Sequence, residues 1–187
     1  WNCSSLATIS FPLVTNIGDQ AFEECTSLTT VSFPEATTVG DFAFDNCSSL
    51  TSASFPKATS IGNYAFWNCS SLATISFPLV TNIGLNAFDG CTSLNSASFP
   101  QATSLGDDAF SKCYSLIDAT FPEATSLGGD AFASCTSLTT VSFPKLTTLE
   151  LGEEFVNCTS LTSIMFPELT NLSFPFGGCT SLATAIF

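Results

Sequence analysis

The 187 residues carry 16 acidic side chains against three basic ones and no histidine, for a formal net charge of −13. Nucleic-acid binding needs a cationic surface, so this balance excludes nucleic acid as a partner and disfavours anionic membrane surfaces. Nucleophile–histidine pairs cannot form, and the sequence has no apolar run of about 20 residues that would insert in a membrane.

Nine cysteines recur along the chain, and the step between them is 22 residues six times, then 23, then 21. They are Cys3, Cys25, Cys47, Cys69, Cys91, Cys113, Cys135, Cys158 and Cys179. Repetition at such a period predicts a solenoid, in which each copy forms one coil and stacked coils bury a shared core.

Each unit opens with C-x-S-L and continues into a predicted strand. In the second unit, Val31 and Phe33 alternate with Thr30 and Ser32, and the other units follow the same pattern. A period of two indicates a strand with one buried face. Proline follows the phenylalanine in eight units, and it ends the strand because it has no N–H to donate.

The second half of each unit contains another apolar pair, such as Ala36 and Val39, followed by a glycine and an Ala-Phe pair such as Ala43-Phe44. The glycines predict a corner with positive φ; they are Gly18, Gly40, Gly62, Gly84, Gly106 and Gly128. The Ala-Phe stretch is too short for a full helix, so we expect a 3₁₀ turn or a brief extended segment.

The combined pattern L-x-x-[IVA]-x-F-P…[ILV]-G-x-x-A-F-x-x-C-x-S-L resembles the BspA-like leucine-rich repeat of bacterial and protist surface proteins. The resemblance covers the whole chain and implies a leucine-rich-repeat solenoid of the right-handed horseshoe type. It implies a parallel β-sheet on one face, turns and short 3₁₀ or irregular segments on the other, and about eight full 22-residue repeats plus a final strand. It also implies a role in binding or adhesion and carries over no catalytic residues.

The chain departs from the family pattern by placing Phe, where Ile or Leu is more common, before the proline. Two register slips, near 149–155 and 172–176, predict local distortion. No linker interrupts the array, so residues 1–187 are expected to form a single repeat domain. Neither end shows a polar cap, which predicts a fragment of a longer array.

The cysteines and carboxylates each leave two interpretations open. One cysteine per coil without C-x-x-C favours free, buried thiols over zinc, although neighbouring coils could place thiols within disulfide reach. Carboxylates recur at the glycine corner and after Ala-Phe, either as a solvated acidic edge or as calcium ligands. They are Asp19, Glu23, Glu24, Asp41, Asp45, Asp89, Asp107, Asp108, Asp130, Glu153 and Glu154.

The outward positions of the strands form the candidate ligand-binding face, a surface of small hydroxyls interrupted by larger side chains in the sixth and eighth coils. Recognition surfaces favour aromatic and apolar anchors, which makes the interruption the point of interest. The predicted residues are Thr30, Ser32, Thr74, Ser76, Ser96, Ser98, Tyr114, Ile117, Asp118, Thr120, Thr140, Ser142 and Met165. Asp118 alone, without histidine or arginine, gives no acid–base pair, so no enzyme, cofactor or metal is predicted.

Three functions follow as hypotheses. The first is a binding or adhesion module of an extracellular or cell-surface protein, which presents the concave hydroxyl face to a protein or glycan. The second is an architectural spacer. The third is an ice- or crystal-surface binder that uses regular threonine columns, such as the column that begins at Thr15, Thr37 and Thr59. A structural role for that threonine column is the alternative.

Overall fold

A computed structural model of the chain describes residues 3–149, 152–171 and 175–186. Within these ranges the regular structure consists of short strands, and no residue is helical. The three-residue strands are β2 (Thr30–Ser32), β4 (Ser52–Ser54), β6 (Thr74–Ser76), β8 (Ser96–Ser98), β10 (Asp118–Thr120), β12 (Thr140–Ser142), β13 (Ser163–Met165) and β14 (Thr184–Ile186). The two-residue strands are β1 (Asn16–Ile17), β3 (Thr38–Val39), β5 (Ser60–Ile61), β7 (Asn82–Ile83), β9 (Ser104–Leu105) and β11 (Ser126–Leu127).

The three-residue strands form two parallel sheets along one side of the solenoid, which we call the front sheets. Their orders are β2-β4-β6 and β8-β10-β12-β13-β14. Each strand pairs with the equivalent strand of the next coil, as Val31 pairs with Ala53. The predicted solenoid of about eight coils with a parallel sheet on one face is confirmed.

The two-residue strands form a third parallel sheet, which we call the back sheet, in the order β1-β3-β5-β7-β9-β11. The sequence predicted only turns, short 3₁₀ segments or irregular chain here. The Ala-Phe segments stack as turns, because Phe44 N donates to Ala65 O at 2.7 Å and the neighbouring coils repeat this bond. No 3₁₀ helix occurs in the described ranges, and the expected 3₁₀ turns are present as single hydrogen-bonded turns, such as Cys47 N donating to Phe44 O at 3.2 Å. Inter-coil hydrogen bonds satisfy much of the remaining backbone of this side.

The corner glycines were predicted to supply positive φ, but in the structure they permit close packing between successive coils. Among the described residues, the only glycines with positive φ are Gly90 and Gly178, neither of which is a corner glycine. A Cβ on Gly84 would lie 2.5 Å from the carbonyl carbon of Gly62 in the preceding coil. Only glycine therefore permits the close approach of successive coils at this corner.

Positive φ instead occurs at two other positions of the coil, immediately before each cysteine from Cys25 onward and two residues after each corner glycine. The first position holds Asn46, Asn68 and Asn157, and asparagine tolerates the left-handed region. The second holds Phe42 and Tyr64, with φ of 55° and 56°. Bulky residues are uncommon in this region, so these residue types do not predict the turn that the structure shows there.

The core consists of parallel columns of identical residue types. Strand phenylalanines stack on one another, as Phe55 does on Phe77 with ring centroids 5.1 Å apart. The Ala-Phe phenylalanines form a second column, in which Phe44 and Phe66 are also 5.1 Å apart. Rings from the two columns meet edge to face, an arrangement that aromatic quadrupoles favour. The fully buried phenylalanines are Phe33, Phe44, Phe55, Phe66, Phe77, Phe88, Phe99, Phe110, Phe121, Phe132, Phe143 and Phe155.

The cysteines are free, and those from Cys25 to Cys158 are buried, which confirms the packing interpretation. Each thiol in this run from Cys47 onward donates to the carbonyl of the Ala-Phe phenylalanine one coil earlier, as Cys69 Sγ does to Phe44 O at 3.1 Å. Burial raises the pKa of the Cys47 thiol to about 12. Because thiolate is the reactive form, these thiols are inert packing groups.

The threonine column that begins at Thr15 also stabilises the stack. Thr37 Oγ1 donates to Thr15 O at 3.0 Å, and Thr103 Oγ1 donates to Thr81 O at 3.1 Å. Lys57 pairs with Glu35 at 2.6 Å, as its position one coil away predicts. The structural interpretation of this threonine column is therefore confirmed.

The register slips are only partly visible. Residues 150–151 and 172–174, where much of each slip falls, lie outside the described residues. The phenylalanine column recovers after the first slip, because Phe155 stacks on Phe132 at 5.5 Å with an interplanar angle of 2°. Phe176 continues it at 5.8 Å from Phe155. The inserted and deleted residues therefore leave the core column in place.

Candidate binding face

Alternate residues of a strand point to opposite sides, so the three-residue strands from β2 to β13 direct their central residue toward the core and their two outer residues toward solvent, whereas all three residues of β14 are exposed. The outer residues stack into two columns because successive strands pair in register. We call this surface the front face. Its first column runs through Asp118, Thr140, Ser163 and Thr184, and its second through Thr120, Ser142, Met165 and Ile186.

The structure places the thirteen predicted face residues in the front strands or in the segment that leads into one of them. Eleven of the thirteen lie in front strands, and Tyr114 and Ile117 precede β10. Ser142 is partly buried, and the other twelve are exposed. The large side chains are well accessible, with 45% of Tyr114, 51% of Ile117 and 46% of Met165 exposed.

A seam divides the front face between the fourth and fifth coils. Strands β6 and β8 belong to separate sheets, although β7 and β9 behind them remain paired. The rings of Phe77 and Phe99 under the seam are 6.0 Å apart, compared with 5.1 Å for Phe55 and Phe77. Five front strands lie beyond the seam, and four of them, β10, β12, β13 and β14, border a groove.

A groove of about 300 Å³ crosses the C-terminal half of the front face. Asp118 lies at one end of it, Met165 and Ile186 lie toward the other, and Thr140 and Ser163 lie between them. The groove therefore combines one carboxylate, several hydroxyls and two exposed apolar side chains. We refer to this surface as the front groove.

The large exposed residues of the sixth and eighth coils replace small side chains of the repeat. Tyr114 occupies a position that is Thr or Ser in the other eight units, and Ile117 one that is Thr, Ala or Asn. Met165 occupies a position that is otherwise Ser or Thr in every complete unit. Since the remaining coils fold with small residues there, packing does not require the large ones.

Charge on the front face is limited to Asp118 among the described residues of the strands. The three lysines are all engaged elsewhere, with Lys57 on Glu35, Lys112 on Asp89 and Lys145 on Glu123. No ion pair involves Asp118 in the described part of the chain. The carboxylate is thus available to a cationic group from outside.

The simpler interpretation of the corner and turn carboxylates was a uniformly solvated edge. The structure differs, because several of these carboxylates are hydrogen-bonded to the backbone or buried. Asp41 Oδ1 accepts the backbone N–H of Asn63 at 2.7 Å, and Asp107 Oδ1 accepts that of Gly129 at 2.9 Å. Asp45, Asp89 and Glu154 are buried. Within the described ranges, no three acidic or cysteine side chains converge as metal ligands would.

Asp45 and Asp89 occupy equivalent turn positions but differ in their partners. Asp89 accepts hydrogen bonds from Trp67 Nε1 at 3.0 Å and Lys112 Nζ at 3.1 Å. Asp45 Oδ1 is buried without a hydrogen-bond partner. Burial, followed by repulsion from Glu23, raises the pKa of Asp45 from 3.8 to about 6. The sequence analysis missed this contrast, although the 22-residue period already places Trp67 next to Asp89.

A small aromatic cluster on the turns was also missed. Phe42 and Tyr64 stack with centroids 4.7 Å apart, and Trp67 meets Tyr64 edge-on at 6.0 Å. All three side chains are partly buried. The rings of Phe42 and Tyr64 face each other across neighbouring coils, so the cluster supports coil stacking.

Comparison with known proteins identifies the repeat. The sequence matches the family described as BspA type leucine rich repeat region, over residues 1–102 and 59–183. No curated protein matches the sequence. Because the described residues include no helix, none of them forms an apolar helix long enough to cross a membrane.

Solved structures share the architecture. A leucine-rich repeat protein of T. pallidum superposes with a TM-score of 0.71 at 28% identity, over 91% of this chain and 80% of that one. A leucine-rich repeat protein of Bacteroides ovatus has a TM-score of 0.50 at 24% identity, over 100% of this chain and 62% of that one. A leucine-rich cell surface protein of Faecalibacterium prausnitzii is 22% identical, with a TM-score of 0.46 over 100% of this chain and 74% of that one.

Proposed function

Because the chain belongs to the BspA-type leucine-rich repeat family, we propose that it is a non-enzymatic binding or adhesion module of an extracellular or cell-surface protein. Its Ser/Thr-rich front face contacts a protein or glycan partner. The contact centres on the front groove and on the exposed side chains of Tyr114 and Ile117, which precede β10.

One observation carries this proposal. The sixth and eighth coils place Tyr114, Ile117 and Met165 in solvent at positions where other coils carry small side chains. Exposed aromatic and apolar side chains cost solubility and contribute nothing to the core, whereas such side chains supply most of the energy at binding sites. Met165 lines the front groove and Ile117 directly precedes Asp118 at the end of it, so these departures from the repeat cluster in one part of the array, which supports a recognition role.

The experiment compares the protein with the Tyr114→Ala, Ile117→Ala double variant on glycan and host-protein arrays. The wild type is expected to retain a defined set of ligands, and the double variant to lose them with an unchanged thermal midpoint. A Leu13→Ala, Leu79→Ala variant removes two exposed aliphatic side chains outside the front strands and serves as the matched control, with binding expected to be unchanged. Ligands that the double variant retains at full strength would contradict the proposal.

A further inference from the structure

We infer that the partner of the front groove is an extended protein segment that carries a basic side chain and an aliphatic side chain at a fixed separation. This inference rests on the proposed function and specifies the chemistry of its partner. The segment runs across the strands, with its basic group on Asp118 and its aliphatic group against Met165 and Ile186.

Charge complementarity favours a basic segment. The net charge is −13, and each lysine is already within 3.1 Å of a carboxylate of the chain itself. Asp118 is exposed at the end of the groove, with no ion pair in the described residues. An acidic field of this kind attracts cationic partners and repels sulfated or other anionic ones.

The apolar end of the groove favours a polypeptide over a neutral glycan. Met165 and Ile186 stand next to each other in paired strands, about half of each is exposed, and both border the groove. An aliphatic side chain placed between them removes apolar surface from water on both partners. A neutral sugar buries less apolar surface there and leaves Asp118 without a counter-charge.

Strand geometry sets the separation of the two contacts. Asp118 and Met165 lie in different columns of β10 and β13, with β12 between them. Two strand spacings of about 4.8 Å and a two-residue rise of about 6.6 Å place the two positions about 12 Å apart. An extended chain advances about 3.3 Å per residue, so the basic and aliphatic residues should be about three or four positions apart.

The test uses an array of synthetic Gly/Ser-based peptides, each with one leucine and one lysine, glutamate or serine at varied separations. We expect the wild type to bind the peptides in which lysine and leucine are about three or four positions apart. Asp118→Asn should weaken this binding about two- to fivefold, as for a solvent-accessible ion pair. Asp118→Lys should transfer the preference to the glutamate peptides.

Two further variants control for folding and net charge. Asp118→Thr places in β10 a residue that β2, β6 and β12 carry at the same position, so it should fold normally and lose the lysine preference. Glu168→Gln removes one exposed carboxylate beyond the Pro167 corner, outside the groove, and should leave binding unchanged.

The outcomes separate the inference from the proposed function. An unchanged lysine preference in Asp118→Lys overturns the inference, as does binding of neutral glycans without peptides. In both cases the proposed function stands if the Tyr114→Ala, Ile117→Ala variant loses the ligand. Absence of any peptide, protein or glycan ligand overturns both.

Discussion

The front sheets and the back sheet come from the same repeat, yet only the back sheet is continuous across the seam between the fourth and fifth coils. At the back, hydroxyls such as that of Thr103 donate to the preceding coil. At the front, the one inter-coil bond between described outward side chains of the strands joins Thr120 to Ser98 at 3.3 Å.

This difference shows where the repeat can vary. Side-chain hydrogen bonds between coils are concentrated in the turns and the back sheet, and ring stacking joins the coils in the core. A changed residue at these places therefore disturbs the stack. An outward strand residue of the front face has few such bonds, so Met165 can replace a small residue at little cost. Tyr114 stands at a turn position where other coils carry a hydroxyl bonded to the preceding coil, as Thr92 Oγ1 is to Ser70 O at 3.1 Å. The predictions below test this division, in order of decreasing effect on stability.

Phe66→Ala should have the largest effect, because Phe66 is fully buried and stacks on Phe44 and Phe88. Loss of a buried phenylalanine costs about 3–5 kcal/mol in the free energy of unfolding. Chemical denaturation measures this loss. Phe22→Ala removes a partly buried ring of the same column near the first coil, so it should lower the free energy of unfolding less than Phe66→Ala does. Equal losses from the two variants would contradict the phenylalanine column as the main source of stability.

Asp45→Asn should stabilise the protein at neutral pH, because the buried carboxyl of Asp45 has a raised pKa of about 6. The folded state keeps this proton while the unfolded state releases it, so the carboxyl lowers stability as pH rises from about 4 to 6. Above that window the free energy of unfolding of the variant should exceed that of the wild type by about 1–3 kcal/mol, and below pH of about 4 the two should be equal. Denaturation at both pH values measures the difference.

The equivalent substitution Asp89→Asn provides the control for Asp45. Asp89 is bonded to Lys112 and Trp67, so its neutralisation should destabilise the protein at neutral pH. Stabilisation by both substitutions would show that net negative charge, and not the missing partner of Asp45, is responsible.

Thr81→Val should cost about 0.5–1.5 kcal/mol, because it removes the bond from Thr81 Oγ1 to Thr59 O at 3.2 Å. Thr74→Val is the matched change on the front face of the same coil, where the structure gives the hydroxyl no bond within the described residues. It should leave the midpoint of chemical denaturation nearly unchanged. A larger loss from Thr74→Val would contradict the division between front and back.

The sequence predicted the inward residues well because they repeat with both the coil period and the strand period, as Val31 and Phe33 do. It missed the back sheet because two residues, such as Thr38 and Val39, are too few to show alternation. The corner glycines were misinterpreted because a glycine can signal positive φ or close approach. Only the stacked coils show that Gly84 meets Gly62.

The candidate site was predictable as a set of residues but not as a groove. Tyr114, Ile117, Asp118 and Met165 are recognisable as departures from the repeat. Their arrangement depends on strand register and on the exposure of Ile186, which follows from the stacking of β13 and β14. The seam beside β8 leaves no signal in the sequence, because the units on its two sides have the same pattern.

The most direct test replaces the four departures together by residues of neighbouring coils, as Tyr114→Thr, Ile117→Thr, Asp118→Thr and Met165→Ser. Binding to the array ligands and the thermal midpoint are measured on the same sample. We predict that binding is lost while stability changes by no more than about 0.5 kcal/mol, as is usual for surface substitutions. Retained binding would contradict the assignment of the front groove as the recognition surface.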